Sequence, residues 1–174
     1  MDDGVTVVFV AAEATWPLRR QVLRPTRSLP ECAYPGDDDP RAAHAAAVSS
    51  PVAPGTDPRT ARDAKTAIVA VGTVIPEAAP FDPDRTDAWR IRGMATAAAA
   101  RHGGLGTAVL DLLVDHVGRC GGGLLWCHAR TPALGLYRRA GFRPRGEVFE
   151  LPEIGPHQVM WRTVAPGGPP PPPQ

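Results

Sequence analysis

Arg101-His102-Gly103-Gly104-Leu105-Gly106-Thr107 is the stretch of this 174-residue chain with the clearest chemical content. An apolar, strand-like run precedes it (Trp89, Ile91, Met94). A helix-like run follows, with Leu105, Val109, Leu112, Leu113, His116 and Val117 on one face. A glycine-rich turn that opens a helix collects unpaired backbone N–H groups and the positive end of the helix dipole at one point. That is an anion site, most often for phosphate. Gly104 and Gly106 carry no Cβ, so the backbone can approach the anion closely.

Two nucleotide readings of the turn fail on spacing. A Walker loop ends in Gly-Lys-Ser or Gly-Lys-Thr, and the only lysine, Lys65, is far away. A dinucleotide fingerprint needs G-x-G-x-x-G and an acidic residue about 20 residues on. Here the glycines read Gly103-Gly104-x-Gly106, and residues 121 to 130 hold no acid.

The elements that must position this turn can be read in chain order. Val5 to Val10 is a β-branched strand. Thr15 is the expected N-cap of a helix through Leu23, with Pro17 in its first turn and Arg24-Pro25 closing it. Prolines, Gly36 and Asp37-Asp38-Asp39 make residues 28 to 40 a loop with room for a short helical turn. His44 to Val48 is a short strand, Ser49 to Pro58 a loop, and Thr66 to Ile75 a strand apolar enough to be buried on both faces. After a proline-rich loop to Asp87 come the strand before the turn, the turn, and a long helix ending near Cys120-Gly121-Gly122-Gly123. Leu124 to Cys127 is a short buried strand. Thr131-Pro132 starts a helix that Gly141 stops, and Phe142 to Leu151 and His157 to Val164 are the last strands. This order predicts a mixed α/β layer with one parallel crossover around the glycine turn. Residues 1–165 read as one domain, and 166–174 as a disordered or polyproline tail.

The spacing Arg101-x-x-Gly104-x-Gly106 resembles the acyl-CoA pyrophosphate loop of the GNAT superfamily of N-acyltransferases, Gln/Arg-x-x-Gly-x-Gly/Ala between a strand and a long helix. Arg92-Gly93-Met94-Ala95-Thr96 looks like that family's cofactor-lining strand. Ala133-Leu134-Gly135-Leu136-Tyr137-Arg138-Arg139-Ala140-Gly141-Phe142 looks like its late A-x-x-L/F-Y-x-x-x-G-F signature. Softer likenesses (Leu18 to Pro25, Gly36 to Asp39, Ile154 to His157) are similar to a group of uncharacterised bacterial members.

The resemblance implies a mostly antiparallel GNAT-like sheet with helices on both faces. It also implies an N-acetyltransferase that moves an acetyl group from acetyl-CoA to a primary amine of a small molecule or peptide by direct attack. The expected cofactor-binding residues are Met94, Ala95, Thr96, Arg101, His102, Gly103, Gly104, Leu105, Gly106 and Thr107, with a backbone N–H near Met94 holding the thioester carbonyl. Tyr137 maps onto the tyrosine that protonates the CoA thiolate; the alternative for it is a core aromatic. The family's strand glutamate is missing, since that strand reads Trp89-Arg90-Ile91-Arg92. His128 stands where members place an asparagine, either as a proton-accepting base or as a hydrogen-bond partner of the pantetheine arm. His44, Glu77 and His157 are further base candidates, with ordinary surface or loop residues as the alternative, and Arg20, Arg24, Asp39 and His44 fall in the part that forms the acceptor side.

Composition bounds the remaining classes. A 43% hydrophobic and 21% charged chain with net charge +1 fits a globular protein and gives no sign of nucleic-acid or membrane binding. Three scattered cysteines, Cys32, Cys120 and Cys127, show no metal spacing and no C-x-x-C pair, so no metal is expected. The acidic start and the lack of a long apolar run predict a cytoplasmic protein, monomer or homodimer. Two alternatives compete: a non-catalytic acyl-CoA-binding regulator, and an interaction protein docking through its proline tail.

Overall fold

Small, β-branched residues at two-residue alternation shape the core. A computed structural model describes residues 4–49, 67–152 and 154–167. Its seven strands are β1 (Val5–Phe9), β2 (Ala43–Ser49), β3 (Ala67–Pro76), β4 (Ala88–Thr96), β5 (Gly123–Arg130), β6 (Arg143–Leu151) and β7 (Gly155–Val164). They form one sheet in the order β1-β2-β3-β4-β5-β7-β6. Every neighbouring pair is antiparallel except β4 and β5. A parallel pair needs a crossover, and α2 (Leu105–Arg119) supplies it. The mixed α/β sheet with one parallel crossover is as the sequence predicts.

Helices cover both faces. Val109, Leu110, Leu113 and Val117 of α2 are buried, and they join Ala43, Ala45 and Ala47 of β2 in one cluster. The short α3 (Leu134–Arg139) packs on the same side through Tyr137, with Leu134 and Leu136 beside it. On the opposite face, Leu18 of α1 (Ala12–Leu23) meets Ala46, Val71 and Ala95. Odd positions of β2 thus face α2 and the even Ala46 faces α1, as a strand's alternation demands. Alanine there lets both helices sit close to the sheet.

Three local details differ from the sequence expectation. α1 starts at Ala12, with Ala11 extended before it and no side-chain cap. Thr15 is inside, its hydroxyl donating to the Ala12 carbonyl at 2.6 Å, and Pro17 is interior. Alanine at Ala12 and Ala14, with Glu13 in the first turn, favours the earlier start. Second, Thr131–Ala133 form a 3-10 turn, and α3 proper begins at Leu134. Third, Gly167 donates to the Gly118 carbonyl of α2 at 2.7 Å, so the tail's first residues are docked. The loop expected from Ser49 to Pro58 lies, beyond Ser49, outside the described residues, as does the tail from Gly168 on. Among the described residues no helix is long and apolar enough to cross a membrane.

Candidate active site

The turn between β4 and α2 takes its shape from two left-handed residues. His102 has φ +68° and Gly104 φ +79°, and Gly104 is the N-cap of α2. A non-glycine residue in this region costs about 1 kcal/mol, so His102 marks stored strain. Among the described residues no side chain caps the helix. The first N–H groups of α2 are therefore free for a ligand. A groove of about 460 Å³ opens beside them, lined by Thr96, Arg101, His102, Gly104, Leu105, Gly106 and Thr107, with Ala100 before them and Leu136 and Arg139 opposite. Among the described residues, no acidic side chain lines it. Arg101 Nε donates to the Thr96 carbonyl at 3.4 Å, which holds the arginine over the end of β4. A Cβ on Gly106 would lie 3.5 Å from Thr96 Oγ1 and 3.9 Å from Leu136 Cδ2, so a longer side chain there would run into the groove. Gly103 is exposed like its neighbours but does not line the groove.

Next to the groove the sheet forks. β4 and β5 pair only from Ala88–Leu124 to Arg90–Trp126. Beyond that β4 carries one extra residue: Gly93 and Met94 together oppose Gly72. Gly93, at φ +60°, makes a glycine bulge of the kind that turns backbone groups out of the ladder. The bulge also flips the alternation. Met94 lies over Gly72 on the α2 side, where a Cβ on Gly72 would be 2.3 Å from Met94 Sδ. Ala95 is buried on the α1 side.

Cys127 is the first β5 residue past the fork, and Tyr137 lies against it. Tyr137 is 4% exposed and packs edge-on to Phe142 at 5.4 Å. Burial, and then the Cys127 thiol, raise its phenol well above the usual value. Burial likewise pushes Cys127 up to about 12. Both groups are protonated at neutral pH.

The other face of the fork is polar. Arg90 and Arg92 alternate on β4 and so share a side. Arg90 Nη1 donates to Glu77 Oε1 at 2.6 Å, and the guanidinium stacks 4.6 Å over Trp126. His128 Nδ1 lies 3.4 Å from Arg90 Nη2, with the imidazole edge-on between Trp126 and Phe149. A donor at Nδ1 favours the tautomer protonated at Nε2. Burial, then the Arg90 cation, lower His128 to about 4. The linkage sign follows. Between pH 6.5 and 4 the unfolded chain binds a proton that the folded chain refuses, so stability is full above 6.5 and falls as pH drops toward 4. The melting temperature of His128→Gln should fall less steeply over that range than wild type; parallel curves would contradict the assignment.

The remaining acceptor-side candidates separate. His44 is buried, its Nδ1 2.8 Å from Thr73 Oγ1 and its Nε2 3.0 Å from the Asp37 carbonyl. It shares Thr73 Oγ1 with the fully buried Arg19. Asp39 accepts from the Arg41 backbone N–H at 2.8 Å, which holds its carboxyl below the usual value. Arg20 is exposed. Arg24 stands near the fork, 4.6 Å over the Tyr34 ring that Arg92 also covers. His157 is buried beside Phe149, with Nδ1 2.8 Å from the Gly155 carbonyl. Arg92 stands in sequence only at the head of the cofactor-lining strand, and Arg90 and Tyr34 carry no expected site role. The Arg-x-Arg spacing on a strand was the signal, since it puts both guanidiniums on one face.

Comparison with known proteins fits this geometry. Residues 55–142 match the Acetyltransferase (GNAT) family. The chain belongs to the GNAT acetyltransferases. Over 158 residues this acetyltransferase is 27% identical to the uncharacterized N-acetyltransferase YitI of Bacillus subtilis (strain 168), covering 91% of this chain and 95% of that protein. It shares its fold with a GCN5-related N-acetyltransferase from Kribbella flavida, at TM-score 0.65 and 19% identity over 94% of this chain and 100% of the other. It also shares its fold with a phosphinothricin acetyltransferase from Sinorhizobium meliloti solved with AcCoA, at TM-score 0.66 and 17% identity over 94% and 90%. The activity of this GNAT protein is acyl transfer, with an acyl-CoA as donor.

Proposed function

We propose that this acyltransferase moves an acetyl group from acetyl-CoA to a primary amine of a small molecule or peptide by direct attack, with Tyr137 as the acid for the CoA thiolate. One observation carries the reading: a buried, protonated phenol stands at the fork of β4 and β5, beside a cationic groove on a helix N-terminus. In this reading the N–H groups from His102 to Thr107, with Arg101 and Gly103–Gly104, hold the pyrophosphate. Each charge-assisted hydrogen bond contributes about 1.5–3 kcal/mol, so several anchor a CoA. Ala95 and Thr96 flank the arm that leads to the fork. The N–H near Met94, released by the Gly93 bulge, polarises the thioester carbonyl where negative charge develops.

The amine attacks that carbonyl carbon, the C–S bond breaks, and the phenol proton goes to the departing sulfur. The amine's own proton passes to the Glu77 carboxylate, which Arg90 engages through Oε1; His128, whose Nδ1 faces Arg90, takes it only when that 3.4 Å contact opens. At a value of about 4 His128 is a weak base, which favours Glu77 in the role. Arg24 lies on the acceptor side in this scheme; His44 and Asp39 support its walls.

Free-thiol release from acetyl-CoA against a panel of amines tests the scheme. Tyr137→Phe is expected to lower kcat by about 100-fold, the low end for a general acid, with CoA affinity unchanged. Turnover equal to wild type would remove Tyr137 as the acid.

A further inference from the structure

Two arginines that share one carboxylate, away from bulk water, need a second anion. The side chains of Arg90 and Arg92 are 19% and 18% exposed, and Glu77 is their common partner. Arg90 takes it at 2.6 Å. Arg92 is left 4.0 Å from Glu77 Oε2 and 3.4 Å from the Pro35 carbonyl, with its guanidinium 4.4 Å over Tyr34. Burial and the neighbouring Arg90 both work against its charge.

Arg19, on the same face, shows how this chain settles a buried guanidinium that serves only structure. It has two bonds to Asp37, one to Thr73 Oγ1 and one to the Cys32 carbonyl. Asp37 is committed there and to the Tyr34 N–H, so it supports the Arg92 charge only at a distance. A desolvated charge without such a partner set among the described residues is costly, and its retention points to a ligand that completes it.

We propose that the acceptor amine carries a carboxylate, and that Arg92, flanked by Arg90 and by Arg24 at the rim, is its anchor. The substrate class is an amino acid or short amino carboxylate; this rests on the acyl-transfer reading above. A planar guanidinium takes a carboxylate through two parallel N–H bonds, which orients the acceptor as well as holding it. Position fits the role. Arg92 immediately precedes the Gly93–Met94 bulge, and His128 faces the same side of the fork from β5. A carboxylate on Arg92 therefore leaves an amine a few atoms away beside the carbonyl it attacks. Phe149, half-buried and edge-on to His128, offers apolar surface to the rest of the molecule.

The test is calorimetric titration of the full chain saturated with CoA. The probes are N-acetylglycine, N-acetyl-β-alanine and N-acetyl-L-phenylalanine, each against its carboxamide. At least one acid should bind roughly tenfold or more tightly than its amide, a difference of about 1.4 kcal/mol. Arg92→Gln should bring that ratio close to one and leave CoA affinity as it was. Arg92→Lys, which keeps the charge and loses the fork, should retain part of the preference. The proposal is overturned if no acid outbinds its amide at millimolar concentration, or if Arg92→Gln keeps the full preference. Should Arg92→Gln fail to fold, the wild-type ratio decides alone. Thiol release without an acid preference would remove the carboxylate anchor and leave acyl transfer standing; an acid preference without thiol release would do the reverse.

Discussion

Asp37→Ala is expected to lower the melting temperature by roughly 10 °C, an effect of about 3–5 kcal/mol for breaking a buried ion pair from one side. Arg19 is 0% exposed and the Asp37 side chain 7%, with contacts of 2.5 and 3.2 Å. Removing the carboxylate strands a guanidinium whose other partners, Thr73 Oγ1 and the Cys32 carbonyl, carry no charge. Its Nε already lacks a partner among the described residues. The contrast is Asp87→Ala at the exposed Arg85–Asp87 pair, where solvent screens both charges and the melting curve should barely move. Adding Arg19→Met to Asp37→Ala should recover much of the loss, because the cost lies in the orphaned charge. Equal melting temperatures for Asp37→Ala and Asp87→Ala would refute this account. The pair also pins the loop that carries Tyr34 to β3 and β4, so acceptor binding should weaken with it.

Gly106→Glu should abolish most CoA binding while leaving the fold intact. At the second position of α2 a glutamate gains helix propensity over glycine and meets the positive end of the dipole, so thermal stability should hold or rise slightly. Its side chain, however, leaves the backbone toward Thr96 and Leu136, into the groove. There it fills space and places a carboxylate where the pyrophosphate would sit. Losing one or two charge-assisted bonds of about 1.5–3 kcal/mol each predicts a drop of roughly 100-fold in CoA affinity by titration calorimetry. Affinity within threefold of wild type would mean the pyrophosphate lies elsewhere.

The parts read correctly from sequence were those decided by neighbours along the chain. Gly104 and Gly106 marked the turn, the apolar stripe from Val109 to Val117 marked α2, and Gly141 ended α3 with φ +81°. The parts that were missed depend on distant partners. Nothing near Arg19 in sequence announces that it is buried, because Thr73, 54 residues on, completes its shell. Nothing near His44 in sequence announces the Thr73 hydroxyl and the Asp37 carbonyl that the fold brings to its two nitrogens. The Gly93 bulge is likewise invisible until β3 pairs with β4. A Cβ there would come 2.8 Å from Arg19 Nε and 2.9 Å from Tyr34 Cε2, so glycine is required by contacts as well as by φ.

The strand order has a consequence for how the protein comes to be made. β7 lies between β5 and β6, yet it is the last of the three to be synthesised. Until it emerges, the outer edge of β5, with its buried Trp126 and Cys127, has no partner, and β6 has nothing to pair with. An unpaired apolar strand edge is a template for other chains. The nascent protein is therefore most exposed to aggregation just before residues 155–164 leave the ribosome. Insertion of that one strand pairs β5 on one side and β6 on the other at once.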